Sequence, residues 1–457
     1  MMPTRLLLAF VTPFLACAPS VLSAETLPAA LARAYSSNPQ LNMERAGVRA
    51  GDEDVARAAA GYRPKVSAEA FAGLAARRYS VPGQASPTDS QRPRSGYLSV
   101  EQPLFDGNRT RNSVRGAEGS ALANRERLRL AEQTILLSAV TAYMNVLRDT
   151  AAYNLQTNNL RVLDVQLQQN RERLNEGQIT PTDVAQSEAR LASGRSQASL
   201  ARANLQTSQG EYRQIVGVEP TKLAPALPIE RLLPKTLKEA DSLAQREHPA
   251  IAAAMHGADV ARLEVAVAEG ELYPTLSLLG SVGGRADTEA PGERQTEASI
   301  VAKLNIPIYS GGATSARIRQ AKEIAGQRQL NTDLVRREVQ ANVRGAWSVL
   351  TAVRTQTASA REQISAAERA LVGVREESRV GQRTTLDVLN AQQELLNARI
   401  ALIVSQRDHV VASYSVLAAV GRLSTRSLGL RITTYDPQVH FDQVKGKWGG
   451  IRTPDGR

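Results

Sequence analysis

The segment NEGQITPTDVAQSEARLA, residues 175–192, returns later in the chain as RVGQRTTLDVLNAQQELL, residues 379–396. Both copies contain Gly-Gln-x-Thr-x-x-Asp between long stretches rich in Ala, Gln, Glu, Arg and Leu, which favour helix. A glycine that ends one helix, a threonine that begins the next and an aspartate three residues later fit the turn of a helical hairpin. The sequence therefore predicts two helical hairpins of the same design.

Matching segments extend over almost the whole chain. TLPAALARAYSSNPQ from Thr26 corresponds to TLKEADSLAQREHPA from Thr236, and QPLFDGNRTRNSVRGA from Gln102 corresponds to IPIYSGGATSARIRQA from Ile306. The offset changes from 210 to 204 residues between these pairs, so the copies differ in the length of one loop. We expect two tandem structural repeats, residues 25–235 and 236–445, followed by a flexible C-terminal tail, residues 446–457.

The helices are expected to be unusually long. No proline interrupts the chain between Pro103 and Pro181, or between Pro307 and Pro437. At 1.5 Å per residue, a helix over residues 109–176 would reach roughly 100 Å. Shorter helices over residues 182–217 and 236–271, separated by a proline-rich passage, would run back along it. Aromatic residues make up only 4% of the chain, which suits rods that pack closely along their length.

Each repeat also contains a pair of strand-like segments, at about residues 64–76 and 95–105 and at about 273–285 and 297–309. In the last of these, Ile300, Ala302 and Leu304 alternate with Ser299 and Lys303. Alternation alone fits membrane strands and soluble half-buried hairpins equally well. Four strands cannot close a barrel, however, and open sheet edges are not tolerated in hydrocarbon. A conducting membrane barrel would therefore need three or more copies of the chain.

The start of the chain predicts export from the cytoplasm. Residues 1–24 have a basic residue, a short apolar run and then small residues, as in a secretory signal peptide. The sole cysteine, Cys17, lies in this leader, so the mature chain would contain no disulfide. The net charge of +11 comes from arginines scattered among acidic residues, and no basic cluster with interleaved aromatics predicts nucleic-acid binding.

No pattern in the sequence predicts catalysis. The four histidines are scattered, no glycine-rich phosphate loop follows a strand, and no nucleophile lies in a recognisable setting. We expect no enzyme activity, no cofactor and no metal. A periplasmic adaptor protein with long helical hairpins is the alternative function, but an adaptor would carry one hairpin flanked by small β-domains, whereas this chain carries two copies of strand pair plus hairpin.

Several motifs carry a resemblance to a known family. The strand ends QPLFDGN and IPIYSGG, the hairpin turn GQRTTLDVLNAQQELLNAR and the tail YDPQVHFDQVKGKW resemble those of the TolC family of outer-membrane efflux and secretion proteins. The resemblance implies a homotrimer in the bacterial outer membrane. Its 12-stranded β-barrel would continue into a 12-helix periplasmic α-barrel. It also implies docking to a periplasmic adaptor and to an inner-membrane ABC, RND or MFS transporter, for efflux or type I secretion.

The same resemblance assigns roles at the hairpin turns. Asp387 matches the first acid of the family's periplasmic entrance ring, whereas Asn390 stands at the second acid position and would weaken the charge of the ring. Arg383 matches an arginine that ties this hairpin to a neighbour near Thr182 and Asp183 and holds the entrance shut. Helix capping alone also explains the aspartates, and the two interpretations are compatible.

Overall fold

A computed structural model describes residues 24–78, 82–83, 88–290 and 292–456. The predicted leader, residues 1–24, lies outside the described residues except for Ala24. The elements in chain order are α1 Leu27–Ser37, α2 Pro39–Ala59, β1 Lys65–Ala72, β2 Ala75–Arg78, β3 Thr88–Gln91, β4 Arg94–Phe105, α3 Arg109–Asn175, α4 Pro181–Val216, α5 Leu237–Glu247, α6 Pro249–Gly270, β5 Thr275–Ala286, β6 Arg294–Asn305, α7 Ala313–Arg379, α8 Thr385–Ala419 and α9 Pro437–Val444.

Two very long helices dominate the structure. α3 and α7 each contain 67 residues, which corresponds to about 100 Å of helix. Each folds back through a tight turn into a helix of about half its length, α4 or α8. The predicted mainly helical fold is confirmed, because proline-free sequence rich in strong helix formers extends through both rods. No helix within the described ranges has an apolar stretch long enough to cross a bilayer.

One expected helix is broken in two. The sequence predicted a continuous helix over residues 236–271, but α5 ends at Glu247 and α6 begins at Pro249. Proline has no N–H for the preceding turn, so it begins a new helix instead. The His248 side chain caps α6 by accepting a hydrogen bond from the Ala250 N–H at 3.2 Å. The first half has the same break at Asn38, between α1 and α2.

Four strands form one antiparallel sheet with two chemically different faces. The strand order is β1-β4-β5-β6, so β1 and β6 are open edges. The register places the apolar side chains on one face, among them Val66, Ala68, Leu98, Val100, Leu276, Leu278, Ile300 and Leu304. On the opposite face two cross-strand serine pairs are hydrogen-bonded, Ser67 with Ser99 at 2.8 Å and Ser281 with Ser299 at 2.9 Å. No residue of these four strands is buried, and Ile300 is 80% exposed.

The strand limits differ from those expected. β6 ends at Asn305, so Ile306 and Ile308, which the expected strand over about 297–309 included, follow the strand. Pro307 lies between them and cannot donate a ladder hydrogen bond, which fits the early end of the strand. The first strand pair is extended by a small antiparallel hairpin, β2 with β3, that the sequence did not predict.

The main buried core lies near the middle of the rods. There α1 and the passage between α4 and α5 pack against α3, α7 and α8 around Leu136, Val140 and Val343. The Tyr143 hydroxyl donates to the carbonyl of Glu25 at 2.7 Å or of Ala224 at 2.6 Å. Burial raises the pKa of Tyr143 to about 12, so the hydroxyl remains a donor at any physiological pH. This contact fastens the start of the described chain and the passage to the long helix.

The two strand-to-helix elbows are built differently. Between β4 and α3, Gly107 has a positive φ of 72°, and a side chain there would collide with the carbonyl oxygen of Gly270 at the end of α6. The Asp106 carboxylate accepts from the Thr110 N–H at 2.7 Å and fixes the first turn of α3. Between β6 and α7, Gly311 and Gly312 face open space. The end of α6 therefore packs closely against the first elbow, whereas no other part of the described chain lies against the two glycines of the second.

Candidate functional site

The two hairpin turns have the same backbone. Gly177 and Gly381 adopt left-handed conformations, with φ of 74° and 79°, where glycine alone is unstrained. The following N–H groups, of Gln178 and Gln382, donate back to carbonyls of the preceding helix, each at 2.9 Å. This arrangement satisfies carbonyls that the end of a helix would otherwise leave unpaired.

Each returning helix begins with a complete capping box. The carboxylate of Asp183 accepts from the N–H and hydroxyl of Thr180 at 3.0 and 2.8 Å, and Asp387 accepts from Thr384 at the same distances. The threonine hydroxyl oxygen accepts from the aspartate N–H in return. The capping interpretation of both aspartates is thus confirmed.

The Asp387 carboxylate is stabilised in its charged form. Hydrogen bonds from the Thr384 backbone and then from the Thr384 side chain lower its pKa, with a further contribution from the positive charge of Arg383. Asp387 therefore carries a full negative charge at neutral pH. The charge sits at the outer end of the hairpin, at the end of the rod farthest from the sheet.

Arg383 pairs with its own hairpin. Its Nε lies 2.8 Å from Oε2 of Glu377, and this hydrogen bond raises the pKa of the arginine further. Both side chains are about half exposed. Among the described residues, no hydrogen bond within one chain joins Arg383 to Thr182 or Asp183, which lie in the turn of the other hairpin. The predicted tie to that turn therefore stays a prediction about a neighbouring chain.

Asn390 joins the two hairpins of one chain. Its Oδ1 accepts a hydrogen bond from Nη2 of Arg190 in α4 at 2.7 Å. The sequence predicted Asn390 as a weakened position of an acidic ring and gave no sign of Arg190. Since the partner is 200 residues away, only the tertiary structure could show this contact.

Leu389 is a further contact that sequence reasoning missed. It is only 3% exposed and packs in a cluster that belongs to the other hairpin, with Leu163, Leu167, Val184 and Leu191. Leu386, three residues earlier in the sequence, is by contrast 37% exposed. Both leucines follow the turn in the sequence, and helical spacing alone does not say which one finds a partner. The tip of the second hairpin is therefore held against the first by one buried leucine and one hydrogen bond.

The described residues offer no arrangement that would hold a metal. No three His, Cys, Asp or Glu side chains lie together in the ranges that the structure covers. Three of the four histidines contact nearby groups instead: His248 caps α6, His409 lies 3.2 Å from Glu230, and the Nδ1 of His440 lies 3.0 Å from the buried carboxylate of Asp52.

Comparison with known proteins identifies relatives along the whole length of the chain. The model of the family described as "Outer membrane efflux protein" matches residues 30–218 and 241–422, one segment in each half. The outer membrane efflux protein BepC of Brucella suis is 44% identical over 439 residues, which cover 95% of this chain and 93% of BepC. The outer membrane protein TolC of Escherichia coli is 25% identical over 427 residues, or 90% of this chain and 85% of TolC.

The fold has solved counterparts as well. The CmeC outer membrane channel of Campylobacter jejuni superposes with a TM-score of 0.78, at 16% identity, over 92% of this chain and 89% of CmeC. The resemblance to the TolC family is confirmed, the outer membrane is the place of action, and the periplasmic adaptor alternative is not supported. The chain belongs to the outer membrane efflux protein family.

Proposed function

We propose that this chain is one protomer of a homotrimeric exit duct in the bacterial outer membrane. It conducts substrate passively from the periplasm to the outside. A periplasmic adaptor docks it to an energised inner-membrane transporter of the ABC, RND or MFS class. Since BepC is named an efflux protein, we favour efflux of small molecules over type I protein secretion as the task.

The two-faced sheet is the observation that carries this proposal. Its apolar face is exposed along all four strands, and no helix among the described residues covers it. Exposed apolar surface of this extent marks a contact with lipid or protein. The opposite face carries paired serines and charged residues such as Glu101 and Lys303, as the water-filled side of a channel requires.

The open edges β1 and β6 support assembly from several copies. Unpaired backbone N–H and C=O groups cost several kcal/mol each in hydrocarbon, so both edges must find a partner strand. Two copies would give eight strands, whose side chains fill the interior, whereas three give twelve and leave a bore. The same three copies bring twelve hairpin helices together as a periplasmic tube.

We assign the gate of the channel to the tips of the two hairpins. In a closed ring the three Asp387 carboxylates would face one another across the axis and favour cations, while Asn390 leaves the next position neutral. In that ring Arg383, which pairs with Glu377 in its own chain, would reach Thr182 and Asp183 of the adjacent protomer's hairpin, as the family resemblance implies. Loss of this tie would free the second hairpin to swing outward.

Mass determination of the detergent-solubilised protein and single-channel recording in planar bilayers test the proposal. We expect three copies per particle and a stable conductance. Arg383→Ser should raise the conductance, whereas Arg173→Ser, an exposed arginine at the end of α3, should leave it unchanged. Asp387→Asn should lower the preference for cations.

The outcomes separate the duct from its gate. A compact monomer that carries no current would overturn the duct itself. Normal trimers whose currents respond to neither Arg383→Ser nor Asp387→Asn would leave the duct standing and remove the assignment of the gate.

A further inference from the structure

The last residues of the chain form a turn beside the strands. In this C-terminal turn, residues 447–452, the Lys447 N–H donates to the Val444 carbonyl at the end of α9, and the Lys447 ammonium donates to the Arg452 carbonyl at 2.7 Å. Gly450 has a φ of 96°, which lets the chain reverse. These bonds hold the turn as a defined loop next to α9, which packs on α2.

A single arginine holds this turn close to the start of the sheet. Arg63 lies two residues before β1, and its Nη1 donates to the Lys447 carbonyl at 2.6 Å. The Arg63 guanidinium also lies 4.9 Å from the centroid of the Trp448 ring. The chain then runs back, since Pro454 and Asp455 line a cavity with Arg45 and Arg49 farther down α2. The apex of the loop, residues 448–451, is therefore the part nearest the strands.

Two large apolar side chains at this apex are largely exposed on the described chain. Trp448 is 74% exposed and Ile451 is fully exposed. Tyr62, Tyr273 and Tyr309, each just outside a strand of the sheet, are also exposed. Trp and Tyr concentrate where a membrane meets water, because one part of each ring is apolar and another can hydrogen-bond.

The charges around the apex are mainly positive. Arg63 and Lys65 precede and begin β1, and Lys445, Lys447 and Arg452 lie in or beside the turn. The nearby acids are Asp442, which is paired with Lys445 at 2.7 Å, Glu101, which lies opposite Lys65 in the sheet, and Asp455 on the returning segment. Basic residues beside exposed apolar ones favour an anionic lipid surface over a neutral or acidic protein surface.

We propose that the C-terminal turn is an interfacial anchor, which places Trp448 and Ile451 among the phospholipid headgroups of the periplasmic leaflet of the outer membrane. The proposal rests on the proposed function, because it requires the sheet to stand in that membrane. The anchor fixes how deeply each protomer sits, through side chains outside the strands themselves. The tail is thereby part of the membrane contact, and its partner is an anionic lipid surface.

Quenching of tryptophan fluorescence by brominated phospholipids tests the anchor. The described chain has its other tryptophan, Trp347, at the middle of α7, where it is partly buried against the core and far from the sheet. The full chain, purified from membranes and reconstituted in vesicles, would be compared as Trp347→Phe, which reports Trp448, and as Trp448→Phe, which reports Trp347. Brominated lipids should quench the Trp448 signal and leave Trp347 unchanged, and quenching should increase when anionic phosphatidylglycerol replaces a neutral lipid.

Single-channel currents from the same preparations distinguish the possible failures. If the channel conducts but Trp448 is not quenched, the anchor is refuted while the proposed function stands. A blue-shifted Trp448 emission without quenching would place the ring against a second copy of the chain, which also refutes the lipid contact. If the protein neither inserts nor conducts, both proposals fall. Should Trp347→Phe not assemble, the difference between the unaltered chain and Trp448→Phe gives the Trp448 signal.

Discussion

The two hairpins share a backbone design but differ in what fills them near the tip. Positions in the second hairpin lie 204 residues after their counterparts in the first. In the first, Leu163, Leu174 and Ile179 belong to an apolar cluster that reaches the turn. Their counterparts are Ala367, Ser378 and Arg383, and the second cluster ends well before the turn.

The two hairpins also differ in their buried polar residues, because a hydrogen-bonded polar pair in the first is replaced by apolar residues in the second. In the first, the buried Asn170 amide donates to the Ser187 hydroxyl at 2.7 Å, whereas Val374 and Ala391 occupy these places in the second. A buried hydrogen bond between side chains thus joins the two helices of the first hairpin. The second depends on Leu389, which it inserts into the core of the first. Equal turns therefore do not make equal hairpins, and the second is the one whose tip we expect to separate.

Removal of the shared leucine should have the largest effect. Leu389→Ala deletes a buried side chain at an apolar contact between the tips of the two hairpins, and we expect about 2–5 kcal/mol of local stability to be lost. Hydrogen exchange in the first turns of α8 should accelerate, and the conductance of the assembled channel should rise. The matched control is Leu386→Ala, which alters an exposed side chain. Equal protection in both variants would show that Leu389 does not hold the tips together.

The second largest effect is expected at the buried Asn170–Ser187 hydrogen bond of the first hairpin. Ser187→Ala leaves the fully buried amide of Asn170 without its acceptor, at a cost of about 1–3 kcal/mol. The double change Asn170→Val with Ser187→Ala installs the pair found in the second hairpin and should recover most of this loss. Hydrogen exchange at the start of α4 measures both. If the double variant is no more stable than the single one, the buried amide is not the source of the cost.

The threonine caps should contribute about equally at the two turns. Thr180→Ala and Thr384→Ala each remove a capping hydroxyl, which stabilises a helix start by about 1 kcal/mol. We expect similar losses of protection in the first turn of α4 and of α8, but a change in conductance only from Thr384→Ala. Conductance changes of equal size from both variants would contradict the difference between the hairpins.

The smallest expected effect is a difference in how stability depends on pH at the two helix breaks, where His248 caps α6 and Asn38 caps α2. Burial, and then the charge of Arg129, lower the pKa of His248, and its neutral ring caps α6. The contribution of this cap is complete above the ordinary pKa of about 6.5 and is lost as pH falls through the lowered value. The neighbouring Glu247 stays ionised across this range, because its bond to Arg422 lowers its pKa.

Thermal unfolding between pH 7 and pH 5 measures this dependence. The unaltered chain should lose stability in this window, and His248→Asn, which copies the Asn38 cap of the first half, should remove the loss. Asn38→His should add a similar dependence to the first half. An unchanged pH profile in His248→Asn would assign the loss to another group.

What the sequence could predict depends on how far apart the interacting residues lie. The capping boxes were readable because Thr384 and Asp387 are three residues apart, and the long helices were readable because their composition is uniform. The contacts of Leu389 and the Arg190–Asn390 bond join segments about 200 residues apart, and no local pattern encodes such pairs. The break at Pro249 was visible in the sequence, yet the strong helical composition around it hid its effect.

The two elbows differ in how closely the chain encloses them. Where Gly107 meets Gly270, the end of α6 closes against the elbow between β4 and α3 and leaves no room for a side chain. At Gly311 and Gly312 a side chain would meet no other part of the described chain, the Ser310 and Thr314 hydroxyls form the local hydrogen bond at 3.0 Å, and Tyr309 beside them is exposed. In an isolated protomer the first elbow is thus enclosed by the chain, and the second elbow is not. In the closed ring proposed above, the next copy would lie along the open edge of β6 and would supply beside the second elbow the support that one polypeptide lacks.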